Sequence, residues 1–219
     1  QKKIDDAEEG RDDWILEEPR AREILERIRD RSGTARERRK ASREKAPAPF
    51  DLTTLQREAH RRFGYSARRT LDAAQRLYER YKLITYPRTD SRCLPGDYEP
   101  KAEEAIAQLS EVSDYAEPAG VLRTHGLLNR KRVFNDAGVS DHFAIMPTGL
   151  LPKKLPAEDQ RVYDLVVRRF LAAFFPEALW ENMERITVVE GESFRTRKRI
   201  LKKPGWRQAY EQKTESEDA

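Results

Sequence analysis

The feature that most limits the fold is an abrupt stop in a helical pattern. From Ser66, the run SARRTLDAAQRLYERYKL repeats apolar side chains at three- and four-residue intervals (Leu71, Ala74, Leu77, Tyr78 and Tyr81), which predicts an amphipathic helix. The pattern ends at LITYPRTDSR. Ile84 and Thr85 branch at Cβ and resist helical continuation, and Pro87 drives Tyr86 out of the α region. Tyr86 is therefore expected on an extended segment just past a helix end, where its side chain can point into a cleft. A buried structural tyrosine needs one partner for its hydroxyl. This one is followed at once by an arginine, two hydroxyls and a carboxylate.

Other helices are legible by the same rules. Residues 18 to 31 place Ala21, Ile24, Leu25 and Ile28 on one face, with Pro19 near the start and Gly33 past the end. Thr53 to Gln56 match a capping box, Leu55, Ala59 and Phe63 follow on one face, and Gly64 supplies a left-handed stop. A further helix is predicted from about Pro100 through Ala105, Ile106 and Leu109, then an irregular stretch from Ala116 to Val139. The last predicted helix carries Tyr163, Val166, Val167, Phe170 and Phe174 and ends at Pro176. After it the period changes to two. RITVVEGESFRTRKRI reads as a β-hairpin around Gly191, and KPGW as a turn before a further short strand.

These elements predict an α+β chain with a helical domain inserted into a β-rich one: residues 1–50 first part of the β-rich domain, 51–150 the helical domain, and 151–219 a returning helix and strands with a polar tail, KTESEDA, expected to be disordered. The net charge of +4, from 43 basic and 39 acidic residues, is mild but unevenly distributed. Residues 20–46 hold eleven basic and five acidic residues, and residues 61–92 nine and three, so each is +6. The basic run from Arg36 to Lys45 reads as an exposed, solvated strand or linker rather than a specific nucleic-acid contact. A lone Cys93 excludes an intrachain disulfide, and three His with no second Cys give a zinc site no support. No run approaches the ~20 apolar residues of a membrane helix, QKKIDDAEEG lacks the apolar stretch of a signal peptide, and a cytosolic setting fits. Without an initiator Met the chain reads as an internal piece.

The runs FDLTTLQREAHRRFGYSARRTLDAAQRLYERYKLITYPRTDSR and RKRVFNDAGVSDHFAIMPTG resemble the central part of type IA DNA topoisomerases, nearest the bacterial topoisomerase III group, and the likeness spans roughly residues 14 to 210. It implies a helical tyrosine-bearing domain inserted into a β-rich arch. In that family the tyrosine matched by Tyr86 attacks a single-stranded DNA backbone, forms a 5′-phosphotyrosyl link and frees a 3′-hydroxyl. A strand then passes, and religation needs no ATP. Arg88 matches the family arginine and would offer its guanidinium to the phosphate; in an extended segment it shares a face with Tyr86. His142 matches a histidine associated with DNA binding. Thr89, Asp90 and Ser91 match the motif too, as phosphate contacts or turn caps, with Asp90 positioning Arg88 or a partner domain. Cys93 stands where the topoisomerase III group is expected to carry tyrosine, which bears on subgroup and not on function.

The resemblance also implies what this sequence does not contain. Type IA enzymes carry a Toprim domain with a glutamate, a lysine and an Asp-x-Asp site for Mg²⁺, and this chain has no Asp-x-Asp. The expectation is a chain inactive alone and monomeric. Its partners would be single-stranded DNA and the Toprim domain, with Mg²⁺ ligands supplied by that domain, in a bacterial, nucleoid-associated cytoplasmic setting. The competing expectation is a stand-alone single-stranded nucleic-acid-binding module in which Tyr86 stacks bases and the arginines hold phosphates.

Overall fold

The computed structural model describes residue 15 and residues 17 to 210. The N-terminal ten residues and the KTESEDA tail singled out above lie outside the described residues. The chain is α+β and divides into two compact units, one of residues 1–42 and 180–200, the other of residues 43–179 and 201–219. The inserted-domain boundaries at 50 and 150 follow chain order. The packing instead keeps the helix after residue 156 with the helices that precede it.

The first unit holds α1 (Glu18–Ile28) and a three-stranded antiparallel sheet in the order β1-β2-β3. The strands are β1 (Thr34–Glu44), β2 (Ala178–Val189) and β3 (Glu192–Lys203). Ile24 is the one side chain of α1 that is buried, while Leu25, assigned by periodicity to the same face, is 52% exposed. Gly33 ends the approach to β1 because a Cβ there would lie 2.5 Å from the Val188 carbonyl oxygen. β2 and β3 join through Glu190 and Gly191, both at positive φ, the two-residue turn whose twist matches antiparallel strands. β2 begins at Ala178, earlier than the hairpin pattern indicated. β1 is exposed over most of its length.

The second unit contains the apolar core. α2 (Leu52–Phe63) starts two residues before the predicted box: Asp51 is the N-cap, its Oδ1 accepting the Thr54 N–H at 2.6 Å while Thr54 Oγ1 accepts the Asp51 N–H at 3.2 Å. Asp51 reaches the free N–H of the first turn, so the box closes on Thr54 rather than on Gln56. Gly64 at φ 67° ends α2. α3 (Ala67–Glu79) begins at the Ser66 cap and buries Thr70, Ala73, Ala74 and Leu77. α4 (Glu99–Leu109) follows. The stretch expected to be irregular contains α5 (Ala116–His125) and the short α6 (Arg130–Val133). Pro118 does not prevent α5, because it sits in the first turn where no intrahelical N–H bond is lost.

α7 (Ala157–Ala173) is buried on nearly every side, with Val162, Leu165, Val166, Phe170 and Leu171 at most 1% exposed. It packs on α2, α3 and α5. The strand expected after KPGW is instead a 3₁₀ turn, Gly205–Ala209. Gly205 at φ 52° lies so close to Glu177 that a Cβ would meet its carbonyl oxygen at 2.4 Å, and the Trp206 indole N–H donates to the Glu44 carbonyl at 3.2 Å. The Arg207 and Tyr210 N–H groups bond to the carbonyls three residues back, of Pro204 and Arg207, each at 3.0 Å, so they are turned inward and not offered to a neighbouring strand. No helix among the described residues is long and apolar enough to cross a membrane.

Candidate active site

Beyond α3 the chain turns at Lys82, a non-glycine residue at φ 58°, with the Leu83 N–H bonded to the Leu77 carbonyl at 2.9 Å. Leu83 and Ile84 then sink into the core at 3% and 1% exposure. Burying these two side chains fixes the level at which the following residues emerge.

The segment is held by residues about sixty positions later. Ile84 forms an isolated antiparallel bridge with Pro147. The Thr85 N–H donates to Met146 O at 2.9 Å, its hydroxyl donates to Ala144 O at 3.0 Å, and the Met146 N–H returns to Thr85 Oγ1 at 3.0 Å. Thr148 closes the far end, its N–H to Leu83 O at 3.0 Å and its hydroxyl to Lys82 O at 2.7 Å. A further bridge joins Phe50 and Ile145. The two sequence motifs thus lie side by side.

Tyr86, half-buried, emerges from this clamp. Its ring centroid is 4.3 Å from that of His142 and 5.4 Å from that of Tyr78, the latter edge-on at 77°. His142 itself is exposed. Pro87 is buried, and Arg88 reaches solvent, donating from Nη2 to Gln75 Oε1 at 3.1 Å. Lys82 Nζ stands 5.6 Å from the Tyr78 ring. The Tyr86 ring therefore lies against an imidazole, with an exposed guanidinium two residues on and a lysine near Tyr78, groups whose charge suits a phosphate.

Thr89 and Ser91, expected to bind DNA, are placed differently. They are 7% and 5% exposed, and their hydroxyls are held by the protein. Thr89 Oγ1 donates to the His142 carbonyl at 2.8 Å and accepts the Ser91 N–H at 3.0 Å; Ser91 Oγ donates to the Gly138 carbonyl at 2.7 Å. Burial of a hydroxyl requires such partners, and of the two expected roles, phosphate contact or turn cap, these bonds are of the second kind. Asp90 is exposed and accepts the Ser140 hydroxyl at 2.5 Å, so it pins the segment ahead of His142 and does not bond Arg88. Cys93 is partly exposed, its carbonyl bonded to the Ala144 N–H at 2.9 Å.

Sequence reasoning missed Gln75, Tyr78, Thr85 and Ser140 as members of this site. Gln75 and Tyr78 were legible only as successive turns of α3, and Tyr78 was read as part of the apolar stripe. A separate polar cleft of about 330 Å³, lined by Arg68, Arg69, Asp72, Arg76 and Glu158 near the start of α3, contains none of the predicted site residues. Among the described residues no group of three or more His, Cys, Asp or Glu side chains is disposed to hold a metal ion.

An α+β chain with a tyrosine, an arginine and a histidine brought together by two distant motifs narrows the class, and comparison completes it: residues 1–219 match the family described as DNA topoisomerase, and the chain belongs to that family, in its type IA branch. Among its relatives, the DNA topoisomerase 3 of Bacillus subtilis (strain 168) is 37% identical over 198 residues, 89% of this chain and 27% of that protein. The DNA topoisomerase 3 of Shouchella clausii (strain KSM-K16) is 39% identical over 204 residues, 90% of this chain and 28% of the relative. The chain thus spans about a quarter of the length of these relatives. The structure of full-length topoisomerase I from Thermotoga maritima shares the fold, with a TM-score of 0.61 at 24% identity over 90% of this chain and 32% of that one.

Proposed function

We propose that this chain carries the nucleophile of a type IA, topoisomerase III-like reaction on single-stranded DNA. The observation that supports this most is the clamp of residues 82–85 on residues 144–148, which presents Tyr86 beside His142, with Arg88 exposed two residues on.

In the proposed step the Tyr86 oxygen attacks a backbone phosphorus as the phenol gives up its proton. The bond from phosphorus to the 3′-oxygen breaks, and that oxygen takes a proton to leave as a hydroxyl. One phosphate ester replaces another, so religation by reversal needs no ATP. A free phenol has a pKa of about 10, so charge on the transition-state phosphate must be countered. Arg88, which now rests on Gln75, is assigned to counter it. The cation and the acid for the 3′-oxygen are assigned to the Toprim domain of the complete enzyme, and the site of action to the bacterial cytoplasm, where the DNA lies.

The test mixes this chain with a Toprim-containing piece of the same parent, Mg²⁺ and labelled single-stranded DNA, and follows covalent adduct. An adduct that Tyr86→Phe abolishes supports the proposal. Demonstrated association and DNA binding with no adduct would overturn it in favour of a single-strand-binding module.

A further inference from the structure

The turn that closes α3 brings the Leu83 N–H to the Leu77 carbonyl at 2.9 Å by way of Lys82, whose φ is 58°. Glycine is the residue that enters this left-handed region at no steric cost, and after α2 it does so, at Gly64 with φ 67°. After α3 a long side chain stands in that conformation instead. It is held there from outside the helix: the Thr148 hydroxyl donates to the Lys82 carbonyl at 2.7 Å, and the Thr148 N–H to the Leu83 carbonyl at 3.0 Å. A backbone that side chains resist, kept in place by the motif that also carries His142, is the kind of outlier from which a functional role is inferred.

The side chain so placed is a cation at the edge of the site. Lys82 is exposed, and its Nζ stands 5.6 Å from the centroid of the Tyr78 ring, which on another side meets the Tyr86 ring at 5.4 Å. One ring therefore touches both the ammonium and Tyr86. Carboxylates meet other cations of α3, Glu158 reaching Arg69 at 2.7 Å and Asp159 reaching Arg76 at 2.6 Å. Among the described residues no carboxylate lies within ion-pair distance of Lys82. A lysine near a helix C-terminus also complements the helix dipole, but that effect is served anywhere in the last turn and does not call for the left-handed residue.

We propose that Lys82 is a second phosphate contact for single-stranded DNA, its ammonium holding a backbone phosphate that neighbours the one Tyr86 attacks. This rests on the reading of Tyr86 as the nucleophile and adds to it a residue that places the strand. The forked guanidinium of Arg88 suits the phosphorus under attack, where charge develops; Lys82, a compact charge on a flexible stem, suits a phosphate that has only to be held. The left-handed backbone fixes where that stem begins. Thr148 ties it to the segment that carries His142, so strand and nucleophile are positioned from one clamp.

Two measurements on the full chain test the proposal. In the first, the anisotropy of a labelled single strand is titrated with salt. Lys82→Gly removes the ammonium and keeps the left-handed turn; it is expected to lower the log–log salt slope by about 0.7, the value of one single-strand phosphate contact, and to weaken binding about fivefold at low salt. Lys82→Arg is expected to restore both. Since glycine accepts this conformation, Lys82→Gly is expected to unfold at about the temperature of the unaltered chain, which separates a lost contact from a lost fold. In the second, covalent adduct is followed with the Toprim-containing piece, Mg²⁺ and a single strand holding one cleavage site, whose neighbouring phosphates are replaced one at a time by uncharged methylphosphonate. At one neighbour the replacement is expected to slow adduct formation about fivefold at limiting DNA, and Lys82→Gly is expected to be insensitive to that same replacement. An unchanged salt slope in Lys82→Gly, no recovery in Lys82→Arg, losses from Lys82→Gly and the uncharged phosphate that multiply, or no single-strand binding by the unaltered chain would each overturn the proposal. A Lys82-dependent salt slope with no adduct from the unaltered chain would overturn the nucleophile reading alone.

Discussion

Thr89 shows how much of the site depends on a residue that does not face the substrate. Its hydroxyl joins the arginine motif to the His142 backbone, so Thr89→Val leaves the part-buried His142 carbonyl and the buried Ser91 N–H without that partner. The expected cost is about 1 to 3 kcal/mol of stability, read from denaturant midpoints, with slower adduct formation. Thr89→Ser, which keeps the hydroxyl, is expected to restore both. A second residue-scale effect concerns pH. Burial pushes the Tyr163 hydroxyl from 10 up to about 12, and burial likewise raises Tyr115 and Tyr210. A folded-state pKa above the unfolded value gives stability that is fully present below pH 10 and lost as pH rises through about 12. The loss from Tyr163 is on the order of 2 to 3 kcal/mol. Urea unfolding at a series of alkaline pH values is expected to show it, with Tyr163→Phe reducing the loss by that amount while Tyr115 and Tyr210 still contribute.

At the scale of elements, α3 and α7 are joined by a charge pair at the edge of the core. Asp159 is 0% exposed, and Arg76 meets both its oxygens, with Nη2 at 2.6 Å from Oδ1. The Asp159 hydrogen bond is the largest influence holding the Arg76 guanidinium above its ordinary value. Removing the arginine alone would strand a buried carboxylate, so Arg76→Ala is expected to cost about 3 kcal/mol or more. An apolar pair, R76M/D159L, is expected to recover most of that loss in thermal unfolding. The same helix offers Gln75 to Arg88 and Tyr78 to Tyr86, so α3 connects the core to the site through consecutive turns.

At the scale of the whole molecule, the two units differ in how much they bury. The sheet unit keeps β1 exposed along most of its length and buries Ile24 alone from α1, whereas the helical unit surrounds α7 with apolar side chains. Local stability follows burial. Hydrogen exchange of the full chain is therefore expected to reach residues 34–42 and 192–200 well before α7. Uniform protection across both would refute that ordering.

What the sequence determined by itself was local. The Ser66 cap, the Gly64 terminator and the hairpin at Gly191 all follow from backbone preferences of neighbouring residues, and each is where those preferences place it, whereas α3 stops at Glu79, ahead of the expected stop at Ile84-Thr85-Tyr86-Pro87, because the chain already turns at Lys82. The long ITYPRTDS motif also made Tyr86 and Arg88 stand out before any coordinates. Only the tertiary structure decided that Thr85 is clamped by Ala144 and Met146, that Thr89 braces His142, and that Asp90 takes Ser140. Those facts depend on hydrogen bonds between segments tens of residues apart. The linear chain carries no periodicity for such pairings, because burial of the intervening helices is what brings their partners together.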